Sequence, residues 1–358
     1  MNIKALQKAL PEGSVALVIS DVNRLYFTEF EASDGFLIVG KNGAKFITDS
    51  RYIEAATAQA IDCEVELSEV GDELYAQLFE IIDDFGGKKL LFEASRLTIS
   101  YAEKFKSHFR KYELDFSSYL DDLINEFRMV KSEKEYKKLL AAQSIAEQAL
   151  KETLPLIKPG VKERDIAAEL DYRMRKLGAL GVSFDTIVVA GENSSKPHGV
   201  PGDYAIKNGD FITIDYGAIF EGYHSDTTRT FAMGFVSEEQ RKVYNTVLSA
   251  QLAGVEALKA GLKARDADAV CRDIIKAAGY GEFFGHSTGH GVGVEIHELP
   301  TLSSRAAENI LLKPGHVVTI EPGIYLPGKF GVRIEDMLMI TEDGVRNFCS
   351  LPKELTVL

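Results

Sequence analysis

Cysteine is scarce in this chain: Cys63, Cys271 and Cys349 are the only three in 358 residues, and no CxxC pair occurs. An odd, scattered set excludes a disulfide framework and a thiolate zinc knuckle, and fits buried or surface thiols in a reducing compartment. No apolar run approaches the length that crosses a membrane. The opening MNIKALQKALPEG lacks the apolar core of a signal peptide, so the expected location is the cytoplasm. Positive charge is in deficit. Against 54 Asp and Glu stand 41 Lys and Arg, and the net charge of −13 argues against nucleic acid and anionic membrane as partners. HExxH is absent as well, which removes the helical single-zinc protease signature.

What is present suits a soluble chain of two domains, with 45% hydrophobic residues and mixed charge. Residues 1–124 read as an α/β unit. Strands are expected near 14–20, 36–40, 44–48, 63–67 and 89–93, and helices near 52–60, 73–84 and 98–111. Asn42-Gly43 between two of these strands is a hairpin signal. From about residue 125 the pattern changes. Ser132 with Glu135 forms a capping box for a helix to about residue 153, and Ser237 with Gln240 opens another to about 259. A helix over 165–177 carries Ile166, Leu170, Met174 and Leu177 on one face and stops at Gly178. The hexapeptide GVKERD from Gly160 returns 101 residues later as GLKARD from Gly261, and Gly178 returns as Gly279 at the same offset. Two similar halves predict a pseudo-twofold domain with a site at the seam.

The stretch FITIDYGAIFEGYHSDTTRTF, residues 211–231, puts Asp215 at a strand end and Asp226 eleven residues later, across a hairpin. Facing carboxylates repel unless cations lie between them, although turn acids and solvated strand faces also produce such pairs. Five of the seven histidines (His198, His224, His286, His290 and His297) fall in the strand-rich parts of the two halves. The spacing of His286 and His290 suits one helix face, but Gly285, Gly289, Gly291 and Gly293 make a helix there improbable. Glu321 follows the apolar run VVTI. In GVRIEDMLMI, strand alternation would put Arg333, Glu335 and Met337 on one face, where Arg333 could simply pair with Glu335. If Asp215, Asp226, His290, Glu321 and Glu335 converge, four carboxylates in one core need about two divalent ions. Oxygen-rich ligation favours Mn²⁺ or Co²⁺, with Zn²⁺ or iron still open.

The motifs IDYGAIFEGYHSDTTRT, HSTGHGVGVEIHE, TIEPGIY and VRIEDMLMI resemble the pita-bread metallopeptidases, above all the bacterial Xaa-Pro peptidases (prolidase and aminopeptidase P). VNRLYFTEFEASDGFLIVG followed by TDSRYIEAA is similar to the creatinase/prolidase amino-terminal domain. The resemblance implies an α/β two-domain chain. A small creatinase-like domain occupies residues 1–124, and a pseudo-twofold pita-bread α+β catalytic domain occupies 125–358. It further implies Asp215 as ligand of one metal, Asp226 and Glu335 as bridges, and His290 and Glu321 as ligands of the other. His198 and His297 would position substrate and stabilise the tetrahedral intermediate, and His286 would line the proline pocket. Arg333 would contact the substrate region or orient the adjacent glutamate.

The expected activity is hydrolysis of an Xaa-Pro bond at the amino end of short peptides, by a hydroxide bridging two metals. Glu321 would carry the proton to the leaving nitrogen. A homodimer is also implied. Methionine aminopeptidase shares the fold and ligands but not the amino-terminal domain; creatinase lacks part of the ligand set; a binding scaffold without catalysis would not need it. One departure is Ala190-Gly191, where many relatives carry serine before the glycine.

Overall fold

The computed structural model describes residues 2–358. The chain divides into two compact units, a first ending at Arg128 and a second running from Met129 to Leu358. Residue 125 lies inside the helix Tyr119–Met129.

In the first unit the apolar runs form a six-stranded sheet in the order Glu64–Leu67, Ala44–Thr48, Phe36–Val39, Ser14–Val18, Lys89–Phe92, Glu113–Asp115. Ser14–Val18 is buried at every position, as a strand covered on both faces must be. The Asn42-Gly43 turn closes the antiparallel hairpin Phe36–Val39/Ala44–Thr48, where the Gly40 N–H donates to the Gly43 carbonyl at 3.0 Å. The parallel partners Glu64–Leu67 and Lys89–Phe92 are reached through the helices Ile53–Gln59 and Asp72–Asp84. Asp49, Arg51 and Tyr52 form no buried cluster: Arg51 pairs with Asp49 at 2.5 Å in an exposed turn before the first of these helices.

The second unit realises the repeat. Both capping boxes form, opening the helices Glu133–Thr153 and Glu238–Ala257. The helices that follow, Glu163–Lys176 and Ala264–Ala277, begin and end 101 residues apart. Gly160 and Gly261 have φ of +93° and +83°, and Gly178 and Gly279 +106° and +88°, a region L-residues avoid, which is why glycine recurs at both ends. Each helix pair covers its own core. Leu150, Leu170, Met174, Val188 and Ile214 fill the first, and Val247, Cys271, Ile275, Val318 and Leu338 the second.

Thr227–Ala232, Phe211–Tyr216 and Ile187–Ala190 form an antiparallel sheet in the first half. The second half has a five-stranded sheet ordered Glu298–Leu302, Gly289–Gly291, Val317–Ile320, Asp336–Ile340, Val345–Asn347. At the seam the Glu335 N–H donates to the Thr228 carbonyl at 3.1 Å, and the Thr230 hydroxyl donates to the Arg333 carbonyl at 2.9 Å.

One local expectation is corrected there. GVRIEDMLMI is not a single strand. Phe330–Arg333 pairs with Gly323–Leu326, whereas Asp336–Ile340 pairs with Val317–Ile320, and Ile334 and Glu335 lie between them. The chain changes partners at this point, so period-two alternation does not carry from Arg333 to Glu335. Among the described residues no helix is long and apolar enough to cross a membrane.

Candidate metal centre

Asp215 sits in the strand Phe211–Tyr216 opposite Thr228. Asp226 immediately precedes the strand Thr227–Ala232, after the small hairpin Ala218–Phe220/Tyr223–His224. A Cβ at Gly217 would lie 1.9 Å from the Ser225 carbonyl oxygen. Only glycine allows that approach, and it returns Asp226 to the side of Asp215. The second half contributes His290 from the short strand Gly289–Gly291, Glu321 from the end of Val317–Ile320, and Glu335 from the break described above.

These groups meet. Asp226, His290 and Glu335 each offer a ligand atom, all within 4.8 Å of one another. His290 Nε2 lies 3.4 Å from Asp226 Oδ2 and 3.5 Å from Glu321 Oε1. On the other side of the ring, Nδ1 is 3.0 Å from the Gly291 carbonyl, which keeps a proton there and turns Nε2 towards the carboxylates, as an N–H in the protonated ring and as a lone pair once a metal displaces that proton. Burial pushes Asp226 up to about 6 and Glu321 up to about 7. Burial, then Asp226, Glu321 and Asp215, hold Glu335 well above the usual carboxylate range. Burial alone would lower His290, but the bond to Asp226 and the charge of Glu321 outweigh it and hold the imidazole at about 9.

Around this cluster Arg333 is almost wholly buried. Its Nη2 donates to Asp215 Oδ2 at 2.7 Å, Nη1 to the Tyr325 hydroxyl at 2.8 Å and to the Pro197 carbonyl at 3.3 Å, and Nε to the Thr228 hydroxyl at 3.1 Å. The Thr228 hydroxyl in turn donates to Glu335 Oε2 at 2.8 Å. Arg333 therefore pairs with Asp215, and the simple Arg333–Glu335 pair does not form. His286 Nε2 is 2.9 Å from the Tyr325 hydroxyl, and its ring meets Phe284 edge-on at 5.0 Å. Burial lowers its pKa to about 4, so the ring is neutral at physiological pH.

His297 is exposed and packs edge-on against His290 at 4.4 Å. Burial of part of its ring, then the charges of His290 and His198, lower its pKa. His198 is exposed and lies close enough to act electrostatically on both His286 and His297. All nine residues expected at the site thus surround one region of the second unit. Tyr325 and Thr228 were not singled out from the sequence. Thr228 acquires its role by touching Arg333 across the seam, and Tyr325 by touching it across the hairpin Gly323–Leu326/Phe330–Arg333.

The description Metallopeptidase family M24 matches residues 137–342, and Creatinase/Prolidase N-terminal domain matches residues 3–130. The chain belongs to metallopeptidase family M24. Its fold is that of the family: a creatinase-type amino-terminal domain and a pita-bread catalytic domain, as the motifs implied. An Xaa-Pro dipeptidase from Bacillus anthracis superimposes with a TM-score of 0.93 at 42% identity, covering 99% of each chain. An X-Pro aminopeptidase from Thermotoga maritima gives 0.92 at 38%, covering 99% of this chain and 100% of the other. By sequence, an Xaa-Pro dipeptidase of Pyrococcus furiosus is 37% identical over 357 residues, 99% of each chain.

Membership in M24 implies divalent metal ions, and the residues fit them. Asp215 Oδ1 is buried and has no hydrogen-bond partner among the described residues. His290 Nε2 and three more carboxyls converge nearby, and burial pushes the pKa values of those carboxyls up. A cation among them would reverse that push and supply the missing partner.

Proposed function

We propose that this M24 enzyme hydrolyses the Xaa-Pro bond at the amino end of short peptides, using two divalent ions held by Asp215, Asp226, His290, Glu321 and Glu335. The observation that carries the reading is the cluster of Asp226, His290 and Glu335 at the seam, with Glu321 3.5 Å from His290 and Asp215 joined to it through Arg333 and Thr228. Residues 1–124 serve in it as the amino-terminal domain and 125–358 as the catalytic one. The ion is Mn²⁺, on the oxygen-rich donor set. The same reading takes the enzyme as a cytoplasmic homodimer, on the family likeness and the unpaired cysteines.

When bound, the two ions supply hydroxide at neutral pH and polarise the scissile carbonyl. The rest falls to the chain. Asp226 and Glu335 would help to hold both ions, Asp215, oriented by Arg333, would hold one of them, and His290 and Glu321 the other. Glu321 moves a proton from water to the leaving nitrogen. That nitrogen belongs to proline, a tertiary amide without an N–H, so the site needs no acceptor for one. His286, neutral and backed by Phe284 and Tyr325, presents a flat face to the pyrrolidine ring. His198 and His297, exposed beside the cluster, donate to the carbonyl oxygen as charge develops on it.

The test is cleavage of Ala-Pro and Ala-Pro-Ala after Mn²⁺ loading. Cutting of the dipeptide alone makes the enzyme a prolidase, and cutting of the tripeptide an aminopeptidase P. If metal is bound and neither is cut, the proline reading is wrong and a Met-peptide substrate should be cleaved instead.

A further inference from the structure

Two fully buried carboxylates outside the metal cluster, Glu163 and Asp268, stand in equivalent elements of the repeat. Glu163 begins the helix Glu163–Lys176. Its Oε1 accepts from the Ala190 N–H at 2.7 Å and its Oε2 from the Gly202 N–H at 3.0 Å, while Asn193 Nδ2 donates to Oε1 at 3.2 Å. Ala190 and Gly202 are the two ends of the loop that carries His198. One carboxylate therefore closes that loop at its base. It does so through backbone N–H groups, which is why alanine serves at position 190.

Asp268 projects from the helix Ala264–Ala277. Its Oδ1 accepts from the Thr288 N–H at 3.1 Å and the Thr288 hydroxyl at 2.8 Å. Both its oxygens take Arg272, at 2.7 Å each. The Arg272 guanidinium then donates to the carbonyls of Phe284 and His286 at 3.0 and 2.8 Å. The Thr288 carbonyl accepts the N–H of Glu321 at 2.8 Å. The clamp thus fixes the backbone on either side of His286 and reaches the residue that bears Glu321.

We infer that Glu163 and Asp268 are positioning residues, one for each repeat: Glu163 sets the loop bearing His198, and Asp268 with Arg272 sets the segment from Phe284 to Thr288 bearing His286. The two carboxylates are not at matching positions within their helices, since the counterpart of Glu163 is Ala264. Each half has solved the same requirement with its own acid. Buried carboxylates suit the task because they accept several N–H groups at once, whereas an amide of the same shape turns a donor towards a donor. The functional part of the inference rests on the reading of His198 and His286 as substrate-facing.

The test uses full-length protein with ¹⁵N-labelled histidine and the variants Glu163→Gln and Asp268→Asn. Histidine side-chain NMR without substrate should show the His198 signals displaced in the first variant and the His286 signals in the second, with His108 unchanged in both. A purely structural loss would move many histidines together. If a variant fails to fold, Asn193→Ala and Thr288→Val, which each remove a donor to one carboxylate, should give the same separation. Displacement of the same signals by both variants, or of neither set, overturns the inference. Because the NMR pattern is read without substrate, it stands apart from the identity of the peptide cleaved. On a prolyl substrate Glu163→Gln should lower kcat about 10- to 100-fold, with metal content by mass spectrometry unchanged; an unaltered kcat with displaced His198 signals would overturn the catalytic part.

Discussion

Thr228 is the residue whose removal should be felt at two buried groups together. Its hydroxyl accepts from Arg333 Nε and donates to Glu335 Oε2, inside a site that excludes most water. Thr228→Val keeps the shape but leaves both neighbours short of a partner, at a cost of about 1–3 kcal/mol. Urea unfolding of the metal-free protein measures this, and a change under about half a kcal/mol would show that the bridge is not made. The same residues mark what the sequence could and could not disclose. Asp215 and Asp226 were legible because an apolar strand and a glycine-flanked hairpin are local signals. The partner of Arg333 was not. It depends on which strands meet across the repeat seam, over a separation of 118 residues, and i, i+2 reasoning offers only the nearest acid.

At the scale of elements, the long helices were readable because their starts carry a reciprocal signature. Ser237 accepts from the Gln240 N–H at 3.1 Å while Gln240 Oε1 accepts from the Ser237 N–H at 2.8 Å. Ser132 and Glu135 repeat the arrangement. Ser237→Ala should therefore cost about 1 kcal/mol in a denaturant titration. A loss well below that would mean the cap is replaced by water. The repeat was legible for a related reason, since positive-φ glycines at both ends of the second helices leave a mark in the chain itself. Three things left no comparable mark. The short helices Asn2–Ala9 and Asp21–Thr28 lack the length for a periodic pattern. The break at Ile334–Glu335 sits inside an unbroken apolar run, where the change of pairing partner is a tertiary event.

For the whole molecule, the question is what holds four carboxyl groups in one interior. Asp215 has the Arg333 guanidinium, but among the described residues Asp226, Glu321 and Glu335 share one close imidazole, with the Thr228 hydroxyl on Glu335 and a long 3.4 Å bond from the Thr319 hydroxyl to Glu321. Burial raises the pKa of these last three, so keeping them ionised costs the folded state free energy that the unfolded chain does not bear. Ions bound only by the folded state offset that cost by mass action. At a free concentration a hundred times the dissociation constant, each site adds about 2.7 kcal/mol. For a domain of this size that corresponds to a rise in Tm of about 5–10 °C per site. Calorimetry with Mn²⁺, against a chelator-treated sample, should show the rise. Glu335→Ala should abolish most of it, because that variant removes a proposed bridge between the ions while lessening the repulsion that destabilises the metal-free state. A Tm that is unmoved by Mn²⁺ in the wild type would mean the cluster is stable as a hydrogen-bonded set of neutral acids, and the metal assignment would have to be abandoned.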